Sequence, residues 1–372
     1  MTVTITAMSS ELHPDAMVTE ILTASSESTA DEEYNIISSS EAGQNVITWS
    51  WGAMTWAWYV ICELLIAILG ITGNVLVIAV VFSRRSKSRS TDILVGNLAI
   101  ADFVTSILLI PYPKLNFIPN TWTGELFCKV FEGEYLMWTT VTASIYTLVA
   151  VSLDRFFAVV YPIHFKRFAI RRLVNLIVCL VWVGSCVLML RVFLSNTTGV
   201  IVGKCVFQPS TRNLEVAYGI YVFVVEFALP TVLMLATQTV IARSLKREGA
   251  RFTSSESTAS FHQIARSRVL TLTFTVVLIY VICWAPDQIA YLSFNLGLIS
   301  PSFIRSPVSR ITTAIAICNS CVNPIVYTLR HPQFREAVKD FFGNQTKRNT
   351  PIFEDLELQH RLDKKNQIIS KA

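Results

Sequence analysis

Charge is scarce in this sequence. Asp, Glu, Lys and Arg make up 15% of its 372 residues, against about 25% in soluble globular chains, while hydrophobic residues reach 52%. Lys and Arg are missing altogether from residues 1–50, where eight acids stand: Glu11, Asp15, Glu20, Glu27, Asp31, Glu32, Glu33 and Glu41. That stretch is rich in Ser and Thr and has no apolar periodicity, so residues 1–53 are expected to form a disordered acidic tail. The basic start and short apolar core of a cleavable signal peptide are also missing, which leaves the first apolar span to act as its own uncleaved signal. No internal repeat is visible, which counts against a transporter built from inverted halves. No catalytic constellation emerges, so no enzyme is expected.

What the chain does have is long, nearly uncharged runs. Trp56 to Phe82 is interrupted only by Glu63 and Asn74, and a helix needs about 20 apolar residues to cross the hydrocarbon layer of a bilayer. This excludes a soluble enzyme, a disordered scaffold and a secreted disulfide mini-protein. Seven helical candidates follow, at 54–82, 91–113, 125–159, 171–194, 215–247, 262–296 and 304–329. The fold class is an all-α membrane protein: a seven-transmembrane helix bundle over 54–329 with a short amphipathic helix 8 over 330–342. In that last segment Phe334, Val338, Phe341 and Phe342 share one face at helical spacing, which suits a helix lying in the membrane lipid interface. Residues 343–372 are polar and read as a flexible tail.

Basic residues give the orientation. Seven spans alternate sides, and the side of the N-terminal tail holds only Lys114, Lys129, Arg191, Lys204, Arg212, Arg305 and Arg310. The other 24 of the 31 Lys and Arg lie opposite, including Arg84, Arg85, Lys87 and Arg89. The positive-inside rule places the N-terminus outside and the C-terminus in the cytosol, and this distribution, rather than a nucleic-acid partner, accounts for the charge of +5. Six of eight cysteines sit within spans. Cys128 and Cys205 alone face an oxidising compartment and are natural disulfide partners; the alternative is two free thiols. Asn196-Thr197-Thr198 is a glycosylation sequon on the same side.

Polar groups inside a bilayer are costly unless paired, and so mark function by default. Asp102 lies 11 residues into the second helix, roughly 16 Å along it. Asn74, Ser144, Asn319, Ser320 and Asn323 stand at similar depth. Two readings stay open here: a sodium-like hard-cation site on Asp102, or hydrogen bonds that simply tie the helices together. Arg155, beside Asp154, ends the third helix about 40 Å from Cys128. It is either a contact for cytosolic partners or a topology anchor. Pro230, Pro286 and Pro324 interrupt the fifth, sixth and seventh helices, each removing a backbone donor and creating a joint. Trp284 stands two residues before one of them.

Gly73-Asn74, Asn97-Leu98-Ala99-Ile100-Ala101-Asp102, Asp154-Arg155-Phe156, Trp182, Pro230, Cys283-Trp284-Ala285-Pro286 and Asn323-Pro324-Ile325-Val326-Tyr327 occur in order, each motif on its own helix. With the cysteine pair, they resemble the class A, rhodopsin-like G-protein-coupled receptors over about 54–342, in the peptide-receptor branch. By that resemblance Asn74, Asp102, Ser144, Asn319, Ser320 and Asn323 correspond to an allosteric sodium pocket. Asp154, Arg155 and Ile163 would serve G-protein coupling, and Pro230, Tyr280, Trp284, Pro286, Pro324 and Tyr327 the activation switch. A heterotrimeric G protein, arrestin and a receptor kinase are the implied partners, at the plasma membrane. The chain departs from the pattern at Phe156 and Gln238, where Tyr is usual, at Tyr280, where Phe is more frequent, and at Arg266, where some members carry an acid. Cys128 to Arg155 is two residues longer than usual, which calls for a bulge in the third helix.

The resemblance also narrows the ligand. Met137 stands where amine receptors carry an Asp, and Ile317 where visual pigments carry the retinal-linking Lys; no Lys lies in the seventh helix, and a Schiff base needs an amine. What remains is an outer cavity with Glu63, Glu134, Glu226 and Asp287 among Tyr135, Trp138, Tyr218 and Tyr221, with Gln288 beside Asp287. A peptide ligand carrying positive charge is expected, drawn in by the acidic field. Pairing of Glu134 and Glu226 with Arg191 or Lys129 is the alternative. Functional alternatives are an orphan receptor with constitutive activity or a non-peptide ligand, and a seven-helix channel or transporter. Ser254, Ser255, Ser257 and Thr258 between the fifth and sixth helices are a kinase target or a plain polar loop. No cysteine follows Tyr327 to carry a lipid anchor.

Overall fold

The computed structural model describes residues 49–83, 90–162, 165, 171–195, 199–201, 203–206, 211–251, 258–343 and 352. The chain divides into two units, Met1–Thr48 and Trp49–Ala372, and only the second contains described residues. Ile163, Asn196, the loop serines and most of both tails lie outside them.

Among the described residues, seven helices are long and apolar enough to cross a membrane. They are α1 (Trp58–Ser83), α2 (Ser90–Leu108), α3 (Trp122–Val160), α4 (Arg171–Leu194), α5 (Arg212–Arg247), α6 (Thr258–Asn295) and α7 (Pro307–Arg330). An eighth helix, α8 (Pro332–Phe342), follows α7 directly. Large apolar side chains such as Leu65 and Leu69 on α1 and Leu180 and Val187 on α4 point away from the bundle. In water that surface would be unfavourable; against lipid tails it is the expected exterior.

Helix ends depart from the hydropathy reading where local chemistry intervenes. α2 stops at Leu108, five residues short of the expected end, because Pro111 and Pro113 supply no amide hydrogen and push their predecessors to extended backbone. α7 starts at Pro307, not 304: Pro301–Arg305 forms a 3-10 turn, and Ser306 caps the helix by accepting from the Ser309 N–H at 3.2 Å. α3 carries the expected bulge, a π-helical stretch at Cys128–Glu132 followed by Glu134 in the left-handed region at φ 56°. That backbone costs a non-glycine residue on the order of 1 kcal/mol. α5 has a second π-helical stretch at Phe223–Ala228, just before Pro230.

Two apolar clusters hold the bundle. One joins α2, α3, α5, α6 and α7 through Leu98, Ile145, Met234, Tyr280, Trp284 and Ala316. The other joins α1, α2, α7 and α8 through Val77, Val81, Val95, Tyr327 and Phe334. Gly70 lets α1 lie close to α2 and α7: a Cβ there would overlap Ser106 Oγ and stand 3.2 Å from Cys321 Sγ. At the Cys128 end, β1 (Ser50–Trp51) pairs antiparallel with β2 (Leu115–Phe117), and β3 (Gly199–Ile201) pairs antiparallel with β4 (Lys204–Val206). The Ile118 N–H donates to Gly203 O at 2.8 Å, linking the two strand pairs, and Cys128 is disulfide-bonded to Cys205 on β4.

At the other end, α8 is capped by His331, whose Nδ1 accepts from the Phe334 N–H at 3.2 Å. An acceptor nitrogen must be unprotonated. Burial, together with the Arg155 and Arg335 guanidiniums, pushes the His331 pKa down to about 4, so the cap is neutral at physiological pH.

Candidate functional site

The midplane polar residues converge. Asp102 is wholly buried, accepting from Ser144 Oγ at 2.6 Å and Asn323 Nδ2 at 2.8 Å. Asn74 donates to the Gly70 and Ser320 carbonyls at 2.9 and 3.0 Å, and buried Asn319 Oδ1 has no hydrogen-bond partner among the described residues. Carboxylate, hydroxyl and amide oxygens form an all-oxygen donor set suited to a hard cation. No group of three or more His, Cys, Asp or Glu able to hold a metal occurs among the described residues. A single carboxylate among neutral oxygens suits a monovalent ion better than a divalent one. Asn97 bridges Thr147 and Trp182 at 2.9 Å each, tying α2 to α3 and α4.

The acids towards the Cys128 end separate into two groups. Glu226 on α5 is 2% exposed, accepts from Thr142 Oγ1 at 3.1 Å, and lies within electrostatic reach of Asp287 on α6. Asp287 accepts from Thr313 at 2.8 Å and Thr312 at 3.4 Å. Gln288 Oε1 and Trp284 Nε1, both buried, have no hydrogen-bond partner among the described residues. Arg191 lies 4.4 Å over the Tyr218 ring and Lys129 5.4 Å over Phe193. Glu134 belongs to the second group, near Glu63, Glu132 and Lys114. It accepts from Trp138 Nε1 at 3.0 Å, while Lys114 pairs with Glu132 at 3.0 Å. Met137 is buried on α3. Glu226 with Asp287, and Glu134 with Glu63 and Glu132, thus form two electrostatic neighbourhoods among the described residues.

Pro230 explains an unusual pair of tyrosines. It lacks an N–H, so a carbonyl of the preceding turn loses its helical donor. Tyr280 Oη donates to Glu226 O at 2.5 Å and Tyr146 Oη to Val225 O at 3.0 Å. The hydroxyl that distinguishes Tyr280 from the more frequent Phe thus fastens α6 to the joint in α5. Tyr280→Phe leaves a buried carbonyl unpaired, and is expected to destabilise the bundle by about 1–2 kcal/mol. Thermal unfolding in detergent micelles measures this; an unchanged midpoint would mean the hydroxyl contributes nothing.

At the opposite end Arg155 is 8% exposed. Its neighbour Asp154 accepts from Thr91 Oγ1 at 2.5 Å, which ties the start of α2 to the end of α3. Gln238 Oε1 accepts from Thr273 Oγ1 at 3.1 Å, joining α5 to α6. Tyr327 packs edge-on against Phe334 with ring centroids 6.1 Å apart, and Pro286 and Pro324 lie inside their helices.

Residues 73–327 match the family model described as 7 transmembrane receptor (rhodopsin family). The chain belongs to that family. It is similar to an allatostatin-A receptor of Bombyx mori, 30% identical over 74% of this chain and 76% of the relative. A galanin receptor type 2 of Rattus norvegicus is 29% identical over 74% and 73%, respectively. A GQ-coupled rhodopsin of Mizuhopecten yessoensis is 27% identical over 74% of this chain and 57% of that one. The protein is therefore a multi-pass membrane receptor of the G-protein-coupled class, and not an enzyme. Sequence reasoning missed Thr142, Tyr146, Thr273, Thr312, Thr313 and His331 in this receptor. Each acts through a partner on another element or through a backbone group. Of these only Tyr146 carried a legible signal, since Pro230 announces a carbonyl in need of a donor.

Proposed function

We propose that this receptor lies in the plasma membrane, N-terminus outside and C-terminus cytosolic, and answers an extracellular, positively charged peptide by driving nucleotide exchange on a heterotrimeric G protein. The distribution of Lys and Arg supports the orientation. One observation carries the ligand reading: the Glu226 and Asp287 carboxylates lie within electrostatic reach of each other, and Asp287 stands one turn after Trp284 on α6. A guanidinium or ammonium between them would offset their mutual repulsion. The allatostatin-A and galanin receptor relatives are named for peptides, which favours the same class. The rhodopsin relative prompts a second reading, photoreception, but α7 contains no Lys and has Ile317 where the Schiff base would form.

Agonist shifts the population towards a state in which α6 moves outward at its cytosolic end and uncovers Arg155. The joints at Pro230, Pro286 and Pro324 supply the hinges, and Trp284 senses the bend. Arrestin and a receptor kinase follow as partners of the active state. A sodium ion held by Asp102, Ser144, Asn319, Ser320 and Asn323 would favour the resting state. Asp102→Asn is then expected to abolish any dependence of signalling on sodium replacement by a large organic cation; retained dependence would contradict the assignment. The ligand reading is tested by screening basic neuropeptides on cells expressing the receptor with a promiscuous α-subunit. Saturable responses to basic peptides are expected, and responses confined to neutral or acidic ligands would overturn it.

A further inference from the structure

Ile352 stands ten residues beyond the end of α8, in a mostly polar stretch of sequence. Such a residue would ordinarily lie in water, yet it is 1% exposed. It belongs to one buried apolar cluster with Val80 and Val81 of α1, Val95 and Ala99 of α2, Tyr327 of α7 and Phe334 of α8. Its backbone N–H points at the buried Asp92 carboxylate, 3.2 Å from one oxygen and 3.4 Å from the other. An N–H given to a carboxylate is a charge-assisted bond. The pocket therefore recognises two features of the tail at once, an aliphatic side chain and a backbone N–H.

Two further contacts connect this pocket to the switch. Tyr327 forms part of its wall. Thr91, adjacent to Asp92, donates to Asp154 beside Arg155. One turn of α2 thus holds the tail through Asp92 and the Asp154–Arg155 pair through Thr91.

We propose that the pocket between α1, α2, α7 and α8 is a docking site for the receptor's own C-terminal tail, with Ile352 as its anchor. The seated anchor holds Tyr327 in the resting arrangement, so activation must displace the tail. The restraint rests on the reading of Arg155 and Tyr327 as the cytosolic coupling machinery; the docking itself does not. A ligand that binds one of two states shifts the population by its differential affinity. A short tether raises the effective concentration of the anchor to the millimolar range, so a weak contact suffices.

Two measurements on the full-length receptor test this. In the first, receptor in phospholipid nanodiscs is mixed with purified heterotrimer, and ligand-free uptake of a non-hydrolysable GTP analogue is followed. Ile352→Asp places a charge in the apolar pocket and should raise basal uptake on the order of fivefold or more, while Ile352→Leu should stay near the parent value. In the second, the six free cysteines are replaced, Val95→Cys and Ile352→Cys are introduced, and a protease site is inserted at 344–349. After mild oxidation and cleavage, the tail fragment should remain attached until reductant is added. A fragment released without reductant overturns the docking. A formed cross-link with unchanged uptake for Ile352→Asp overturns the restraint. The cross-link needs no transducer, so failure of the docking and failure of the G-protein reading give different results.

Discussion

Cys128→Ser is expected to destabilise the receptor by about 4–5 kcal/mol, the loop-entropy value for a bridge between residues 77 apart. Cys128 is fully buried at the π-helical start of α3, packed with Ile118, Leu115 and Phe127, and its partner lies on the β3–β4 hairpin. The bridge therefore ties the hairpin to α3 as well as constraining the unfolded chain. A loss of this size is comparable to the whole stability of many proteins, so surface expression should fall steeply. Cys205→Ser should do the same, and the double variant should be no worse than either single one, because both remove one bond. Near-normal expression and thermal stability of either single variant would contradict this.

The second large effect concerns the ligand. Glu226→Gln with Asp287→Asn keeps side-chain shape, and the amide oxygens can still accept from Thr142, Thr312 and Thr313. The fold should therefore survive while both charges vanish. Each carboxylate near 4 Å from a ligand cation contributes of order 1–4 kcal/mol. Together they should shift the potency of a basic peptide agonist by about 30-fold or more, the equivalent of about 2 kcal/mol. Concentration–response curves at matched surface expression read this directly. A version of the peptide with its basic residue neutralised should be weaker on the parent receptor and little affected by the double variant. Unchanged potency of the basic peptide would remove these acids from the ligand site.

The distribution of hydrophobicity made the bundle legible before any coordinates. Spans such as Trp58–Ser83 are apolar for longer than a soluble helix needs, and lipid leaves a chain little choice but to form helices. Helix ends were less legible: α2 stops at Leu108 for backbone reasons that hydropathy does not register. The cluster around Asp102 was visible as residues at one depth, but whether their side chains meet depends on helix rotation. The acids show the limit most clearly. Glu134 and Glu226 look alike in the sequence. One reaches Trp138 beside a left-handed turn, and the other is buried against Thr142. Ile352 had no signal at all, since a single aliphatic residue in a polar tail carries no periodicity to read.

The central claim is that agonist uncovers a buried guanidinium at the cytosolic end of α3 and that the G protein engages it. The most direct measurement is agonist-stimulated nucleotide exchange by Arg155→Ala, with agonist binding and surface expression measured on the same membranes. The predicted result is retained binding with exchange reduced to the ligand-free background. Full-strength exchange from Arg155→Ala would contradict the account.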